Sequence, residues 1–317
     1  MSLLGKLYVD PLLTDFAVGF EPQGFIAGQL LPVVEVPRQS FVYAIFDQAD
    51  MFRAPQSTHR APGTEASRFR WRVGSDTGYC FPYAAKTQIT MEEIAGADPV
   101  FRTRLELQRT RGALIELAKD EEQRLAGMMF SPANVGSSTA VASGWLATSG
   151  SNPVGDINTA IDNVQNATGY RPNTMVIGIE AWRALRRHPD VINKAKNPNI
   201  PAGGNYPATE EIARLFEMDT VLVGGAYRNA AQEGQSPVFK PYWGPHVGIF
   251  YIERDMPSTD VPTFGAKFRW VADGLPNRQV EKLPYDAKIK AQEIEAGYFQ
   301  GEKVVSKPLG FLVNSVL

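Results

Sequence analysis

The sequence predicts an α+β fold with an extended amino-terminal arm, a long hairpin, one very long helix and a compact α/β lobe. Residues 1–50 are apolar only in short bursts that proline and glycine interrupt, so neither a helical period nor a long alternation persists there. A proline-free stretch rich in Leu, Arg, Glu and Ala follows Asp98-Pro99. From about residue 153 amphipathic helical patterns alternate with short apolar runs, which is typical of an α/β lobe.

Length and composition indicate an ordinary globular protein. The 317 residues exceed the usual size of one domain, so about two lobes are expected. Hydrophobic residues make up 44% and charged residues 21%, and the net charge of -2 carries no whole-chain signature of nucleic-acid binding. Cys80 is the only cysteine, which excludes an intrachain disulfide and a cysteine metal cluster. Because no apolar run reaches about 18 residues, we expect a soluble chain without membrane contact.

The first 90 residues predict an arm followed by a hairpin. Gln29–Val36 is expected to form a short strand within an otherwise extended arm, which some other surface must cover because it is apolar. Phe41–Phe46 and Arg68–Val73 alternate large apolar and polar residues and predict paired strands. The intervening residues 51–68 contain Pro55, Pro62 and Gly63 and predict a loop at the hairpin tip, of a length that usually serves a function or is disordered.

The long helix is predicted to begin at Pro99 and to end near residue 130. Asp98 is suited to the N-cap and Pro99 to the first helical position, while Ser131-Pro132 ends the pattern. About 30 residues at 1.5 Å each give a helix of about 45 Å. Beyond a connector or weak hairpin at 131–152, helices are predicted at 154–167, 180–196 and 209–218, strands at 174–179, 220–227 and 247–252, and closing strands within 263–317.

The sequence provides no recognisable catalytic, cofactor or metal site. His59, His188 and His246 lie in separate segments without a metal-binding spacing, and are interpreted as surface or turn residues. No nucleophile elbow and no phosphate-binding glycine loop occur. Cys80 lies between two aromatic residues and is interpreted as a packed thiol. The carboxylates of 120–122 are interpreted as a solvated helix face.

The charge pattern of the first 86 residues is complementary. Residues 1–50 hold two basic and six acidic residues, whereas residues 51–86 hold six basic and two acidic ones. An acidic, apolar arm is thus predicted to contact a basic hairpin across subunits, although pairing within one chain explains the pattern equally well. The candidate arm contacts are Asp10, Asp15, Phe16, Phe20 and Glu21; the candidate hairpin contacts are Phe52, Arg53, Arg60, Arg68, Arg70 and Arg72.

Four arginines crowd the first half of the long helix, at positions 102, 104, 109 and 111 (Arg102, Arg104, Arg109 and Arg111). This order opposes the helix dipole, which favours acidic residues at the start of a helix. The arrangement is easier to understand if the arginines meet acidic surfaces outside the helix, or DNA phosphates. Pairs within the helix, such as Arg102 with Glu106, remain the simpler alternative.

The order of these segments resembles that of tailed-phage major capsid proteins, whose fold is named after a Hong Kong coliphage. Three stretches bear the resemblance most: FEPQGFIAGQLLPVVEVP, RPNTMVIGIEAWRALRRHPDVINKAK and AGYFQGEKVVSKPLGFLVNSV. They are similar to the segment that leads into the family's hairpin, to a strand-then-helix unit of its axial lobe, and to its closing strands. The resemblance covers essentially the whole chain.

The resemblance implies a division of the chain and a function. Residues 1–40 would form the arm, 41–88 the extended hairpin, 89–152 a peripheral lobe with the spine helix at about 99–130, 153–262 the axial lobe, and 263–317 a return to the peripheral lobe. The protein would be no enzyme but the subunit of pentamers and hexamers in an icosahedral head around double-stranded DNA. It would be assembled in the host cytoplasm and found in the virion.

Two departures from the family pattern change these expectations. Some members lock the shell through a lysine–asparagine isopeptide bond at the hairpin, but here no lysine lies between Lys6 and Lys86 and no asparagine precedes Asn134. Non-covalent arm and hairpin contacts are therefore expected to hold the shell. The chain also starts directly at the arm, which predicts a separate scaffolding protein beside the portal and decoration proteins that the resemblance implies.

Two other functions compete with this interpretation. An encapsulin-type nanocompartment shell has the same fold and would enclose a cargo enzyme instead of DNA. An α/β enzyme would use the lobe at 153–262, with Gly224-Gly225 as its ligand-binding turn.

Overall fold

A computed structural model describes residues 9–20, 22–46, 59–66, 73–147, 149–195, 206–254, 262–271 and 278–317. The helices in these ranges are α1 Pro11–Val18, α2 Ala27–Leu30, α3 Met91–Gly96, α4 Pro99–Met129, α5 Pro153–Thr168, α6 Ile179–Arg187, α7 Pro189–Lys194 and α8 Thr209–Phe216. The strands are β1 Val33–Val36, β2 Ser40–Phe46, β3 Val73–Tyr79, β4 Phe81–Thr90, β5 Ser137–Ala140, β6 Thr174–Gly178, β7 Thr220–Gly224, β8 Tyr227–Asn229, β9 Phe239–Pro241, β10 Val247–Phe250, β11 Gly265–Trp270, β12 Gln279–Lys282, β13 Ala291–Val304 and β14 Gly310–Asn314.

The chain divides into two compact units, each made of three separate segments. Unit 1 comprises Met1–Phe41, Gly78–Gly127 and Lys267–Lys303, and unit 2 comprises Val42–Thr77, Met128–Ala266 and Val304–Leu317. The closing segment expected as one block at 263–317 is therefore divided between them. The reason is strand pairing, because β14 hydrogen-bonds to β10 and β5 in the sheet of unit 2.

Unit 1 contains a mixed sheet in the strand order β1-β11-β13-β12, with β4 also paired to β13. Strands β4 and β13 run antiparallel over ten residue pairs. Alternate residues of β13 face one side, and that side packs against α1 and α4. The shared core includes Leu13, Leu114, Leu117 and Ile294.

Helix α4 confirms the predicted long helix, since it runs from Pro99 to Met129. Its 31 residues correspond to about 46 Å at 1.5 Å per residue. The carbonyl of Asp98 accepts hydrogen bonds from the backbone N–H groups of Phe101 and Arg102, as expected for a residue that starts a helix.

The prediction of a wholly extended arm was wrong for residues 11–18, which form helix α1. Asp10 is its N-cap, and its Oδ1 accepts a hydrogen bond from the backbone N–H of Leu13 at 3.1 Å. Pro11 does not break the structure but occupies the first helical turn, where its missing N–H has no cost. The strand predicted at Gln29–Val36 forms only over Val33–Val36, parallel to β11.

Unit 2 has a five-stranded sheet in the order β5-β14-β10-β6-β7. Its core combines the buried faces of α5, α6, α7 and α8 with residues such as Ile177 and Ile249. The helix predicted at 180–196 is two helices, α6 and α7, because Pro189 cannot continue the hydrogen bonding of α6. The connector predicted at 131–152 holds β5, which pairs in parallel with β14.

The hairpin is present as strands β2 and β3, which pair as a separate two-stranded sheet. Strand β2 confirms the strand predicted at 41–46, and the Tyr43 hydroxyl donates to Asp76 Oδ2 at 2.9 Å across the pair. The second strand begins at Val73, so the strand predicted at 68–73 lies mostly outside the described residues.

Candidate functional site

The predicted arm contacts are used largely within the chain. Asp10 caps α1, while the half-buried rings of Phe16 and Phe20 lie 5.8 Å apart and pack against the core of unit 1. Asp15 is exposed on α1, and Glu21 lies outside the described residues. Of the four described residues, Asp15 is therefore the one whose side chain faces solvent.

Of the predicted hairpin contacts, the structure describes Arg60 alone, and its side chain is exposed. The others lie outside the described residues: Phe52, Arg53, Arg68, Arg70 and Arg72.

Three of the four arginines of the long helix are exposed, namely Arg102, Arg104 and Arg111. Arg109 forms an ion pair with Glu93, with 2.5 Å between Nη2 and Oε1. The alternative pairing of Arg102 with Glu106 is not supported, because Glu106 instead accepts a hydrogen bond from Lys282 Nζ at 2.6 Å. The exposed arginines therefore remain available to partners outside the helix.

Interpreting 120–122 as a solvated face was right for Asp120, which is exposed, but wrong for Glu121 and Glu122, which are 4% and 0% exposed. The helical period provides a signal that would have found Glu121. Position 121 lies seven residues after Leu114, four after Leu117 and four before Leu125, all of them buried. These spacings place it on the apolar face of α4, so its carboxylate requires a partner in the core.

Glu122 binds the backbone of the arm. Its carboxylate accepts hydrogen bonds from the N–H of Ile26 at 3.2 Å and from the N–H of Ala27 at 2.9 Å. These N–H groups belong to the first turn of α2, where a helix has no internal acceptors for them. Glu122 thus fixes the start of α2 to the long helix.

Glu121 binds the sheet of unit 1. Lys267 of β11 is 1% exposed, and its Nζ lies 2.7 Å from Glu121 Oε1, which also accepts a hydrogen bond from Gln300 Nε2 at 3.1 Å. Lys267 Nζ donates a second hydrogen bond to the carbonyl oxygen of Ala27. The backbone of Ala27 is therefore held on both sides, through its N–H by Glu122 and through its carbonyl by Lys267. We call Glu121, Glu122, Lys267 and Gln300 the buried clasp.

The buried clasp shifts the protonation equilibrium of Glu121. Burial raises the pKa of this carboxyl, but the charge of Lys267 and the hydrogen bonds from Lys267 and Gln300 outweigh burial and hold the pKa below its ordinary value of 4.5. A carboxylate whose pKa is lower in the folded state contributes stability that is complete above its unfolded pKa. That contribution is lost as the pH falls through the depressed folded-state pKa.

We expect acidification to destabilise unit 1 through Glu121. The free energy of unfolding of the unassembled protein should fall below about pH 5, and in Glu121→Gln it should fall less steeply because the amide does not titrate. Denaturant unfolding at a series of pH values, followed by tryptophan fluorescence, measures both slopes. Equal slopes in the two proteins would contradict the assignment.

A serine, a histidine and an aspartate also come together in unit 2, but their hydrogen bonds run in the wrong direction for catalysis. His188 Nδ1 accepts the backbone N–H of Asp190 at 3.3 Å, which leaves the ring proton on Nε2, 2.9 Å from Ser151 Oγ. The Ser151 hydroxyl donates to the carbonyl of Ala147. A catalytic base must instead accept the serine proton. The Asp190 carboxylate lies 3.8 Å from Nδ1, too far for a hydrogen bond, so this cluster holds a loop against α7.

The structure confirms that Cys80 is a packed thiol. Its side chain is buried, and Sγ lies 3.4 Å from the carbonyl oxygen of Phe268. Burial raises the pKa of the thiol to about 11, which suppresses the nucleophilic thiolate at neutral pH. Within the described ranges, no three His, Cys, Asp or Glu side chains are grouped to bind a metal ion. None of the described helices is both long enough and apolar enough to cross a bilayer.

Comparison with known proteins gives consistent matches. The chain is 26% identical over 312 residues to the major capsid protein of Pseudomonas phage JBD67, covering 98% of this chain and 97% of that protein. Its fold is similar to a phage-related protein of Bordetella bronchiseptica RB50, with TM-score 0.74, 21% identity and 98% of both chains covered. It is also similar to the capsid of Cyanophage P-SCSP1u, with TM-score 0.52, 12% identity and 91% and 87% of the two chains covered.

The fold is thus the α+β fold of phage capsid proteins, in agreement with the prediction. The family described as phage major capsid protein E matches residues 82–242, half of the chain. This match includes β4 from Pro82 onward, the long helix with Glu121 and Glu122, and most of unit 2. The chain belongs to the phage major capsid protein E family.

Proposed function

We propose that this capsid protein assembles into pentamers and hexamers that form an icosahedral head around double-stranded DNA. The observation that carries the proposal is the family match across the long helix and most of unit 2. The curated relative is named as the major capsid protein of a phage, which favours a phage head over a nanocompartment shell or an α/β enzyme. The protein's role in the head is structural, as it is in the relatives.

The proposed arrangement follows the segments of the chain. Residues 153–262 lie around the axes of the pentamers and hexamers, and 89–152 lie at the periphery. Residues 1–40 and 41–88 contact neighbouring copies without covalent bonds. The exposed charged residues Asp15 and Arg60 support these contacts because they are free of ion pairs among the described residues.

The proposal also names further partners and the cellular location of assembly. The head assembles in the host cytoplasm around a separate scaffolding protein, incorporates a portal and decoration proteins, and contacts packaged DNA without sequence preference. Exposed Arg102 and Arg111 suit such contacts because phosphate binding by arginine carries no sequence information.

Electron microscopy of the expressed protein tests the proposal. We expect closed shells, free capsomers or curved sheets when the protein is expressed alone, and uniform shells only when the scaffolding protein is present. A protein that remains a monomer or dimer at high protein concentration would contradict the shell function. Uniform shells of one size without a second protein would contradict the proposed scaffolding protein but not the shell function.

The non-covalent character of the shell has its own test. Purified particles heated in sodium dodecyl sulfate should dissociate to the single chain. No lysine lies between Lys6 and Lys86, so the tip of the hairpin has none that could form an isopeptide bond. Denaturing gel electrophoresis measures this directly. A ladder of linked chains would overturn this part of the proposal.

A further inference from the structure

Helix α1 presents an outward face that no described residue of unit 1 covers. Leu13 and Ala17 point into the core, whereas Leu12 and Val18 are 61% and 55% exposed. At 100° per residue, Leu12, Asp15 and Val18 lie within about 120° of the helix circumference. They form a stripe of two apolar residues with a carboxylate between them. Single exposed apolar residues are common, but two aligned on the free face of a helix mark a contact surface.

Unit 1 also contains an open groove between α3 and α4. Its volume is about 440 Å³, and it is lined by Glu92, Glu93, Gly96, Ala97, Phe101, Arg104, Leu105 and Gln108. Phe101, Arg104 and Leu105 are spaced three and four residues apart and therefore share one face of α4. Phe101 is 54% exposed, and the Arg104 guanidinium lies 5.6 Å from its ring centroid. The groove thus combines an apolar floor with a cation at its edge.

We propose that helix α1 of one copy docks in the α3–α4 groove of a second copy. Leu12 and Val18 cover the apolar floor, and Asp15 meets Arg104. The two surfaces are complementary in both polarity and charge, and this pairing accounts for an arginine placed against the helix dipole. The inference rests on the proposed assembly of the chain and names one contact within it. A short amphipathic helix in an apolar groove is a common mode of recognition.

A second copy is the occupant because one copy leaves both surfaces open. Asp15 and Arg104 are each exposed and form no ion pair among the described residues. Glu93, which also lines the groove, is already neutralised by Arg109, so Glu92 is the other acidic side chain at the site. It lies on α3, and the partner's carboxylate therefore has to approach from the α4 side, where Arg104 is.

Charge reversal tests the pair. Asp15→Arg and Arg104→Asp should each raise the protein concentration at which shells form by about threefold or more, as expected for loss of an exposed ion pair. The double variant should restore it. Asp15→Arg combined with Arg102→Asp has the same net charge, but Arg102 does not line the groove, so this control should not be rescued. Light scattering and sedimentation measure the threshold, and the thermal midpoint of the unassembled protein checks folding.

Filling the groove tests its apolar part independently. A Cβ at Gly96 would meet no atom within 4 Å, so Gly96→Leu should fold normally while its side chain occupies the groove. It too should raise the assembly threshold. If wild type assembles but the single reversals and Gly96→Leu leave the assembly threshold unchanged, the docking inference is overturned and the proposed function stands. If wild type forms no assembly, the proposed function fails and the inference fails with it.

Discussion

Lys267→Met is expected to lower the free energy of unfolding of unit 1 by about 3–5 kcal/mol. Methionine keeps most of the side-chain volume but removes the ammonium group. The Glu121 carboxylate, 2.7 Å from Lys267 Nζ, would then be a buried charge whose one remaining hydrogen-bond donor among the described residues is Gln300. The carbonyl of Ala27 would also lose a donor. Denaturant unfolding of the unassembled protein measures the loss.

Lys86→Met is the matched control, because it removes an ammonium group from the same unit. Lys86 lies 3.5 Å from Glu293 and 3.2 Å from Glu295, and its side chain is 51% exposed. Solvent screens such pairs, so a change within about 0.5 kcal/mol is expected. Combining Lys267→Met with Glu121→Met should recover much of the loss, since a buried pair can be replaced by apolar side chains. Equal effects of Lys267→Met and Lys86→Met would contradict the clasp.

Gly178→Ala is expected to destabilise unit 2 by about 3 kcal/mol or more, the upper range for overpacking. Gly178 ends β6, and a Cβ there would lie 1.8 Å from the carbonyl oxygen of Gly244. Because the obstacle is backbone, no rotamer change relieves it. The first turn of α6 would have to move away from the sheet. Thermal unfolding followed by circular dichroism measures the effect.

Gly112→Ala is the opposite control. Gly112 lies inside α4, and a Cβ there would meet nothing within 4 Å. Alanine is favoured over glycine in a helix interior by about 1 kcal/mol, so this variant should be more stable than wild type. The account of Gly178 would be wrong if both alanine variants shifted the unfolding midpoint in the same direction.

Local signals predict the long helix but not helix α1. Asp98-Pro99 marked the start of α4 because an N-cap carboxylate and a proline in the first turn are both local requirements. Asp10-Pro11 carries the same signal and starts α1. The frequent glycine and proline residues of the surrounding arm hide this signal, because they favour an extended chain. The α/β pattern of unit 2 was recognisable for the same reason that α4 was, since strand and helix periods are local.

Features set by distant residues were not predictable from local pattern. The helical period places Glu121 on an apolar face, but only the fold supplies Lys267, 146 residues away, as its partner. Likewise the pairing of β5 with β14 joins segments more than 150 residues apart, and nothing near Ser137 indicates it. Of the predicted contact residues, the structure assigns Asp10 to a helix cap, which a count of charges does not distinguish from an exposed carboxylate.

Cryo-electron microscopy of assembled particles tests the central claim most directly. We expect a closed shell in which five or six copies surround each symmetry axis, with residues 153–262 nearest the axis and residues 89–152 at the periphery. A reconstruction with residues 89–152 at the axes would contradict the proposed arrangement. A protein that forms neither capsomers nor a closed shell, and stays a monomer or dimer at any protein concentration, would contradict the account as a whole.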